Sequence, residues 1–488
     1  MNVHKIKRKI FFMCILLSIS MESAGCGRQE PVVAEIPEEA VIPDEVPVVD
    51  QRDFPLMKTV CLEFMSLRKK PGFSSAVVET LYPDTELEWL GETEQADGAE
   101  FYRVRVLESG NEGYCSANYC ILIDYEYAED ALPYVETENA DYSYDMMVND
   151  LKTLSEKYAD RLSISSLGQT VEGREIYQAV LGNPFAKRAV FIQAGIHGRE
   201  YMSTQLVMKM LEYYTLYYNI GCYEDVLYQQ LYQDVCFYIV PMSNPDGISI
   251  SQFGEAAVSD MQRKEMMRQA YERDKETFIY KEEDTGAFAW YDAYAGGAVD
   301  RSTYQEIITY EEYLKLWKAN AAGVDLNRNF DAGWDEISQK AEPGCEFYKG
   351  PVPESEPETK ILKKALGQRP FDCVINYHAR GKLIYYDVVN NTSEMSVRTE
   401  ALACLFQELN RYELSNCKEN NAVAGGLGDW AALSMQIPSI TIEVGKYPCP
   451  LEAKEFDAIW TRNRETWGKL ALRILEDSAD GSEEILCD

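Results

Sequence analysis

Short, mostly apolar runs of three to six residues, each bounded by polar or turn-forming residues, recur along most of this chain, and their spacing divides it into two zones. Between residues 53 and 125 the runs are close together, as in Thr59-Val60-Cys61-Leu62, Glu86-Leu87-Glu88-Trp89-Leu90 and Phe101-Tyr102-Arg103-Val104-Arg105-Val106. Turn clusters separate them, a pattern that predicts short strands and a small all-β unit. From about residue 140 strands alternate with helices. Ala189-Val190-Phe191-Ile192, Val235 to Val240, Cys373-Val374-Ile375 and Ser439 to Ile442 are continuous apolar runs, as expected of strands covered on both faces. Between them, Leu206, Val207, Met210, Leu211 and Tyr214 form a helical stripe within 201–218, and further helical patterns fall at 396–411 and 453–475. The expected class is α/β, with a mixed, mostly parallel sheet flanked by helices, preceded by a small β-barrel. Residues 256–316 are polar and mostly helical in pattern, and read as an insertion in a 140–478 domain.

The N-terminus has a different character. Lys5, Lys7, Arg8 and Lys9 precede a mostly apolar run from Ile10 to Met21, which is too short to span a bilayer and fits a signal peptide. Ser23-Ala24-Gly25-Cys26 follows, small residues before a cysteine, which resembles a bacterial lipobox with Cys26 as the lipidated residue; Ser23 stands where such motifs usually have Leu. The expectation is a signal segment at 1–26 and an extracytoplasmic protein, membrane-anchored through lipid or secreted. Residues 27–52, rich in Pro, Val and Glu, have no helical period and read as an extended linker.

Charge removes some partners. The 488 residues carry a formal charge of −34. That opposes nucleic-acid binding, which requires basic residues to neutralise phosphates. It also opposes electrostatic adhesion to anionic lipid, leaving the N-terminal lipid as the expected membrane contact. The 13 cysteines contain no Cys-x-x-Cys pair and imply no disulfide framework.

Only three histidines occur, and His4 lies in the signal segment. His197, in Gly195-Ile196-His197-Gly198-Arg199-Glu200, follows one buried strand, and His378 follows another. Carboxyl ends of sheet strands are where α/β proteins build sites. Imidazole and carboxylate both suit zinc. Val324-Asp325-Leu326-Asn327-Arg328-Asn329-Phe330 brings an acid, an amide and a guanidinium together. Glu443 ends an apolar strand, a costly place for a carboxylate unless it is paired or working.

These elements, with Asn244-Pro245-Asp246-Gly247 and Gly425 to Trp430, resemble in content and order the zinc carboxypeptidase family over roughly residues 140–475. The resemblance implies one Zn²⁺ held by His197, Glu200 and His378, with Asp325 supporting the first histidine. It implies Glu443 as general base, and Asn327 and Arg328, with Arg199 beside them, as groups that bind substrate. Where the family carries an oxyanion-stabilising arginine this chain has Trp317-Lys318-Ala319-Asn320, so Lys318 is the candidate. The family's substrate-capturing tyrosine falls on Asn421, and the specificity position before Asp429 is Gly428.

Within the family, the Trp-Lys-Ala-Asn stretch and His378-Ala379-Arg380-Gly381-Lys382-Leu383-Ile384-Tyr385 resemble bacterial γ-D-glutamyl-diaminopimelate peptidases. Residues 53–125 resemble a bacterial Src-homology-3-like domain, with Gly113-Tyr114 through Tyr119 as its last segment, which implies binding to the cell wall or to peptides. Three functions stand open: a cell-wall peptidase acting on muropeptides, a secreted carboxypeptidase acting on ordinary peptides, and an inactive peptidase-like binding protein.

Overall fold

The computed structural model describes residues 56–479, apart from 60–63, 83–84, 118–119, 123–131, 220, 225, 283–287, 293–306, 338, 421 and 423. The expected signal segment with Cys26, the expected linker, Tyr119 and Asn421 lie outside the described residues.

The first unit is a seven-stranded antiparallel sheet in the order β3-β2-β6-β5-β4-β1-β7. Its strands are β1 (Leu56–Thr59), β2 (Met65–Arg68), β3 (Val77–Leu81), β4 (Glu86–Ala96), β5 (Ala99–Val106), β6 (Glu112–Ser116) and β7 (Cys120–Leu122). Alternate residues Leu67, Leu87, Val104 and Val106 point inward with Met57, Leu81 and Cys115. The outward positions carry Arg103 and Arg105, paired with Glu88, Glu92 and Glu112. The first strand ends at Thr59, so its described portion precedes most of the apolar run read from the sequence.

The second unit opens with α1 (Tyr144–Lys157), capped by Ser143, whose hydroxyl accepts from Met146 N. Its sheet has the order β18-β17-β19-β16-β10-β13-β9-β8. Along the chain these are β8 (Leu162–Gln169), β9 (Glu175–Leu181), β10 (Arg188–Ala194), β13 (Val235–Val240), β16 (Cys373–Ala379), β17 (Leu383–Tyr386), β18 (Glu413–Asn416) and β19 (Ser439–Val444). The central four, β13, β10, β16 and β19, run parallel, and antiparallel strands flank them. Every residue of β13 and β16 is buried, because helices cover both faces. Two small antiparallel pairs lie outside this sheet, β11 (Cys222–Tyr223) with β12 (Val226–Leu227), and β14 (Phe278–Glu282) with β15 (Phe288–Asp292).

The remaining helices are α2 (Tyr201–Leu216), α3 (Tyr228–Asp234), α4 (Pro245–Phe253), α5 (Met261–Asp274), α6 (Tyr310–Lys315), α7 (Pro357–Leu366), α8 (Ser393–Asn410), α9 (Leu427–Met435), α10 (Phe456–Asn463) and α11 (Thr466–Ala479). All sixteen residues of α2 are buried, so its apolar stripe is only part of what it packs. The 453–475 pattern is two helices, because Asn463 and Thr466 break the run; the Thr466 hydroxyl caps back onto Asn463 O at 2.7 Å.

The 256–316 segment differs from expectation. It holds a β-hairpin as well as helices, and it has its own core of Val258, Met267, Ala270, Phe278, Ile308, Tyr313 and Trp317. That core seats the loop carrying Lys318. Among the described residues no helix is long and apolar enough to cross a membrane.

Candidate active site

Three neighbouring strand ends and the loops around them build the site. Gly195-Ile196-His197 leaves β10 and enters a short 3₁₀ turn, Gly198–Glu200, that starts α2. Asn244 fixes this loop from beneath. Its side-chain oxygen caps α4 by accepting from Gly247 N at 2.8 Å, and its Nδ2 donates to Ile196 O at 3.0 Å and Ala319 O at 3.1 Å. Backbones meet here so closely that a Cβ on Gly198 would stand 2.4 Å from Gly247 O and 2.5 Å from Trp317 O. The Asn-Pro-Asp-Gly motif therefore clamps the His197 loop to the Lys318 loop, which Gly198 N also reaches through Lys318 O at 3.0 Å.

His197, Glu200 and His378 converge, each at most 5% exposed. His197 Nδ1 lies 2.9 Å from Glu200 Oε1, His378 Nδ1 lies 3.0 Å from Glu200 Oε2, and the two Nδ1 atoms are 3.2 Å apart. Among the described residues this is the one cluster of His, Cys, Asp or Glu whose donor atoms could hold a metal ion. The donor set fits zinc. Asp325 Oδ1 stands 3.3 Å from His197 Nε2, the position of a carboxylate that keeps the proton on that nitrogen and leaves the Nδ1 lone pair facing the cluster. Two facing ring nitrogens and a carboxylate, all buried, are short of protons to satisfy one another, and a divalent cation supplies what they lack.

Charge in the site follows from this packing. Burial alone would raise Glu200, but His197 and His378 overcome it and hold the carboxyl well below its usual range. Ala379 N also donates to Glu200 Oε2 at 3.2 Å. For Asp325 burial is likewise overcome, by Lys318, His197 and Arg328, and its carboxyl falls well below the usual value. Asp325 is held further by Phe347 N, at 3.2 Å from Oδ2.

Glu443 is paired in register with His378 across β16 and β19. It is half-buried, and Thr441 two residues earlier faces the same side. Burial raises the Glu443 carboxyl to about 7, with Glu200 adding to the rise and His378, Lys318 and Arg199 opposing it. A base with that value is poised between its two protonation states near neutral pH.

Lys318 is half-buried and close enough to bias both Asp325 and Glu443. Its ammonium makes no ion pair with another described residue. Arg328 Nε stands 3.4 Å from Asp325 Oδ2, and its guanidinium packs over the Phe347 ring at 5.1 Å. Asn327 is half-buried against Gly426 at the start of α9. Arg199 reaches Glu346 Oε2 at 3.2 Å and Leu316 O at 3.4 Å, and so is tied to the wall of the site. Sequence reasoning missed Glu346 and Phe347, which fix Arg199 and Arg328; they lie in a loop without periodicity, and only proximity reveals them.

Residues 147–466 match the family model described as zinc carboxypeptidase. The chain belongs to the zinc carboxypeptidase family. It is a zinc metallopeptidase, and its cofactor is one zinc ion. Residues 63–120 match the bacterial SH3 domain model. A γ-D-glutamyl-L-diamino acid endopeptidase 1 from Lysinibacillus sphaericus is 26% identical over 322 residues, covering 65% of this chain and 69% of that protein. Mouse mast cell carboxypeptidase A is 24% identical over 220 residues, 45% of this chain and 40% of its own. The thrombin-activatable fibrinolysis inhibitor crystal structure shares the fold, with a TM-score of 0.51 at 17% identity over 71% of this chain and 80% of that one.

Proposed function

We propose that this zinc metallopeptidase hydrolyses an amide bond in peptidoglycan peptides, the γ-D-glutamyl-diaminopimelate bond, outside the cytoplasm. The observation that carries the chemistry is the convergence of His197, Glu200 and His378 beside Glu443. On this reading the first three hold the zinc, which when bound acts as a Lewis acid and eases ionisation of water. Asp325 orients His197. Glu443 takes a proton from the attacking water and passes it to the leaving nitrogen. Lys318 places a positive charge near the oxygen that becomes an oxyanion. Asn327 and Arg328 bind a carboxylate on the leaving group.

The substrate reading is supported by likeness to the γ-D-glutamyl-L-diamino acid endopeptidase, by the SH3-type unit, and by Asn421 in place of a capturing tyrosine. A secreted carboxypeptidase on ordinary peptides is the second reading, favoured by the mast cell carboxypeptidase A likeness. Incubation with purified muropeptides and with a plain tetrapeptide, with products read by mass, separates them. Cleaved muropeptides support the first reading; cleavage of the tetrapeptide alone overturns it. The same reading places the protein at the membrane through lipid on Cys26, so Cys26→Ser in the native bacterium releases it. Unchanged membrane association would point to another anchor.

A further inference from the structure

Acidic residues outnumber basic ones by 81 to 47 in this chain, so a cavity with four cations and one carboxylate among its lining residues stands apart from its surroundings. Next to the end of β19, a cavity of about 370 Å³ is lined by Lys382, Lys446, Lys454 and Arg462. Its one carboxylate, Glu455, is buried and already committed. It accepts the backbone N–H of Lys446 at 2.6 Å and of Tyr447 at 3.3 Å. The four cations are only partly answered. Arg462 donates to Asn410 O at 2.7 Å. Lys454 meets Glu452 at 2.8 Å, but the two side chains are 61% and 68% exposed, where such a pair holds little. Lys446 and Lys454 lie over the Tyr447 ring, at 5.8 and 5.2 Å from its centre. Neither Lys382 nor Lys446 makes an ion pair with another described residue. Like charges gathered round one cavity repel, and an anion entering it relieves that repulsion.

Position gives the cavity a meaning. Along the row of strand ends, His197 follows β10, His378 and Glu443 are the penultimate residues of β16 and β19, and Lys382 immediately precedes β17. Gly381 N donates to Gly445 O at 3.1 Å, and Leu383 is paired with Glu443, so Lys382 stands directly beside the Glu443 strand. Arg328 is joined through Asp325 to the His197 end of the row. Glu443 thus stands between the His197 end of the row on one flank and the cationic cavity on the other.

We propose that this cavity is a subsite for a carboxylate or phosphate group on the acyl side of the substrate. The anion binding follows from the cavity alone; its assignment to the acyl side rests on the reading of Asn327 and Arg328 as the leaving-group clamp. A γ-linked glutamyl residue keeps a free α-carboxylate displaced from the scissile amide, whereas an α-linked residue has none there. The subsite therefore favours γ-glutamyl amides. A phosphate-bearing wall polymer would offer the same chemistry from another source.

Equilibrium binding to the zinc-loaded full chain tests this with three probes: N-acetyl-D-glutamine, its α-carboxamide, and glycerol phosphate. The Lys382→Gln/Lys446→Gln variant serves as control, with zinc content confirming its integrity. The expected result is binding of the free acid that weakens about tenfold or more in the variant and in the carboxamide. Binding of glycerol phosphate alone, lost in the variant, supports the anion subsite and assigns it to a phosphate source. Equal affinity in wild type and variant, or no binding of any probe, overturns the proposal. Turnover of muropeptides by the same variant is scored separately, so failure of the hydrolase reading remains distinguishable.

Discussion

Asp325 stands 3.3 Å from His197 Nε2, on the side of the ring away from the Nδ1 that meets Glu200. Its own carboxylate is braced by Phe347 N and by Arg328. The metal-side lone pair of His197 is thus controlled from a loop about 130 residues further along the chain. Replacing Asp325 by Ala should lower zinc affinity about 10- to 100-fold without unfolding the domain. Competition with a chromogenic chelator measures this. His197→Ala should abolish stoichiometric zinc altogether, and a variant that still holds one zinc per chain would refute the ligand assignment.

Glu443→Gln tests the base. Glutamine keeps the shape of the side chain but cannot accept the proton from water. Zinc content and melting temperature should match wild type while kcat falls by about 10²-fold or more. Near-normal turnover in a preparation free of wild-type enzyme would remove Glu443 from that role.

The positions of His197, His378 and Glu443 were legible where buried strand runs stop, and the ligand set and the loop residues Asp325, Asn327, Arg328 and Lys318 through the resemblance to the zinc carboxypeptidase family. A histidine or glutamate at such a point has no apolar reason to be there, and His197 and His378 are the only histidines after residue 26. The parallel core was legible for the same reason, since unbroken apolar runs cannot tolerate a solvated face. The 256–316 segment hid its hairpin because β14 (Phe278–Glu282) and β15 (Phe288–Asp292) cluster their apolar residues instead of alternating them with polar ones, and Tyr313 and Trp317, which complete their core, come from outside them. The pairing of Arg199 with Glu346 spans 147 residues of sequence and leaves no periodic trace. The cationic cavity likewise assembles Lys382 with residues some 60 to 80 positions later.

Glu358 makes stability depend on pH. It is fully buried at the start of α7; Asn320 Nδ2 lies 3.2 Å from one of its oxygens, and the other has no hydrogen-bond partner. Burial chiefly, with Asp246 and Glu356 adding, raises its carboxyl from 4.5 to about 8. The folded state therefore holds the proton more tightly than the unfolded chain. Its contribution is complete below pH 4.5 and is lost as pH rises towards 8, costing roughly 3 kcal/mol by pH 7. Glu358→Gln should flatten this part of the profile. Urea midpoints for both proteins at several pH values from 5 to 8 give the answer; parallel profiles would mean that Glu358 stays ionised in the fold.

Arg328 has two contacts that its substitution must separate. Nε stands 3.4 Å from Asp325 Oδ2, and the guanidinium plane covers Phe347. Loss of the first would reach the zinc site through Asp325, whereas loss of a substrate carboxylate contact would not. Arg328→Lys retains a cation near Asp325 but removes the planar fork that binds a carboxylate by two parallel bonds. It should therefore keep zinc affinity near wild type while reducing kcat/KM for muropeptides. Arg328→Ala should lose the clamp entirely, by about 2–5 kcal/mol in transition-state binding. Both losses should shrink on a substrate whose leaving-group carboxylate is amidated, because that substrate has nothing for the guanidinium to hold. If the amidated and free-acid substrates lose rate equally in both variants, Arg328 acts only through Asp325, and the carboxylate must be bound elsewhere.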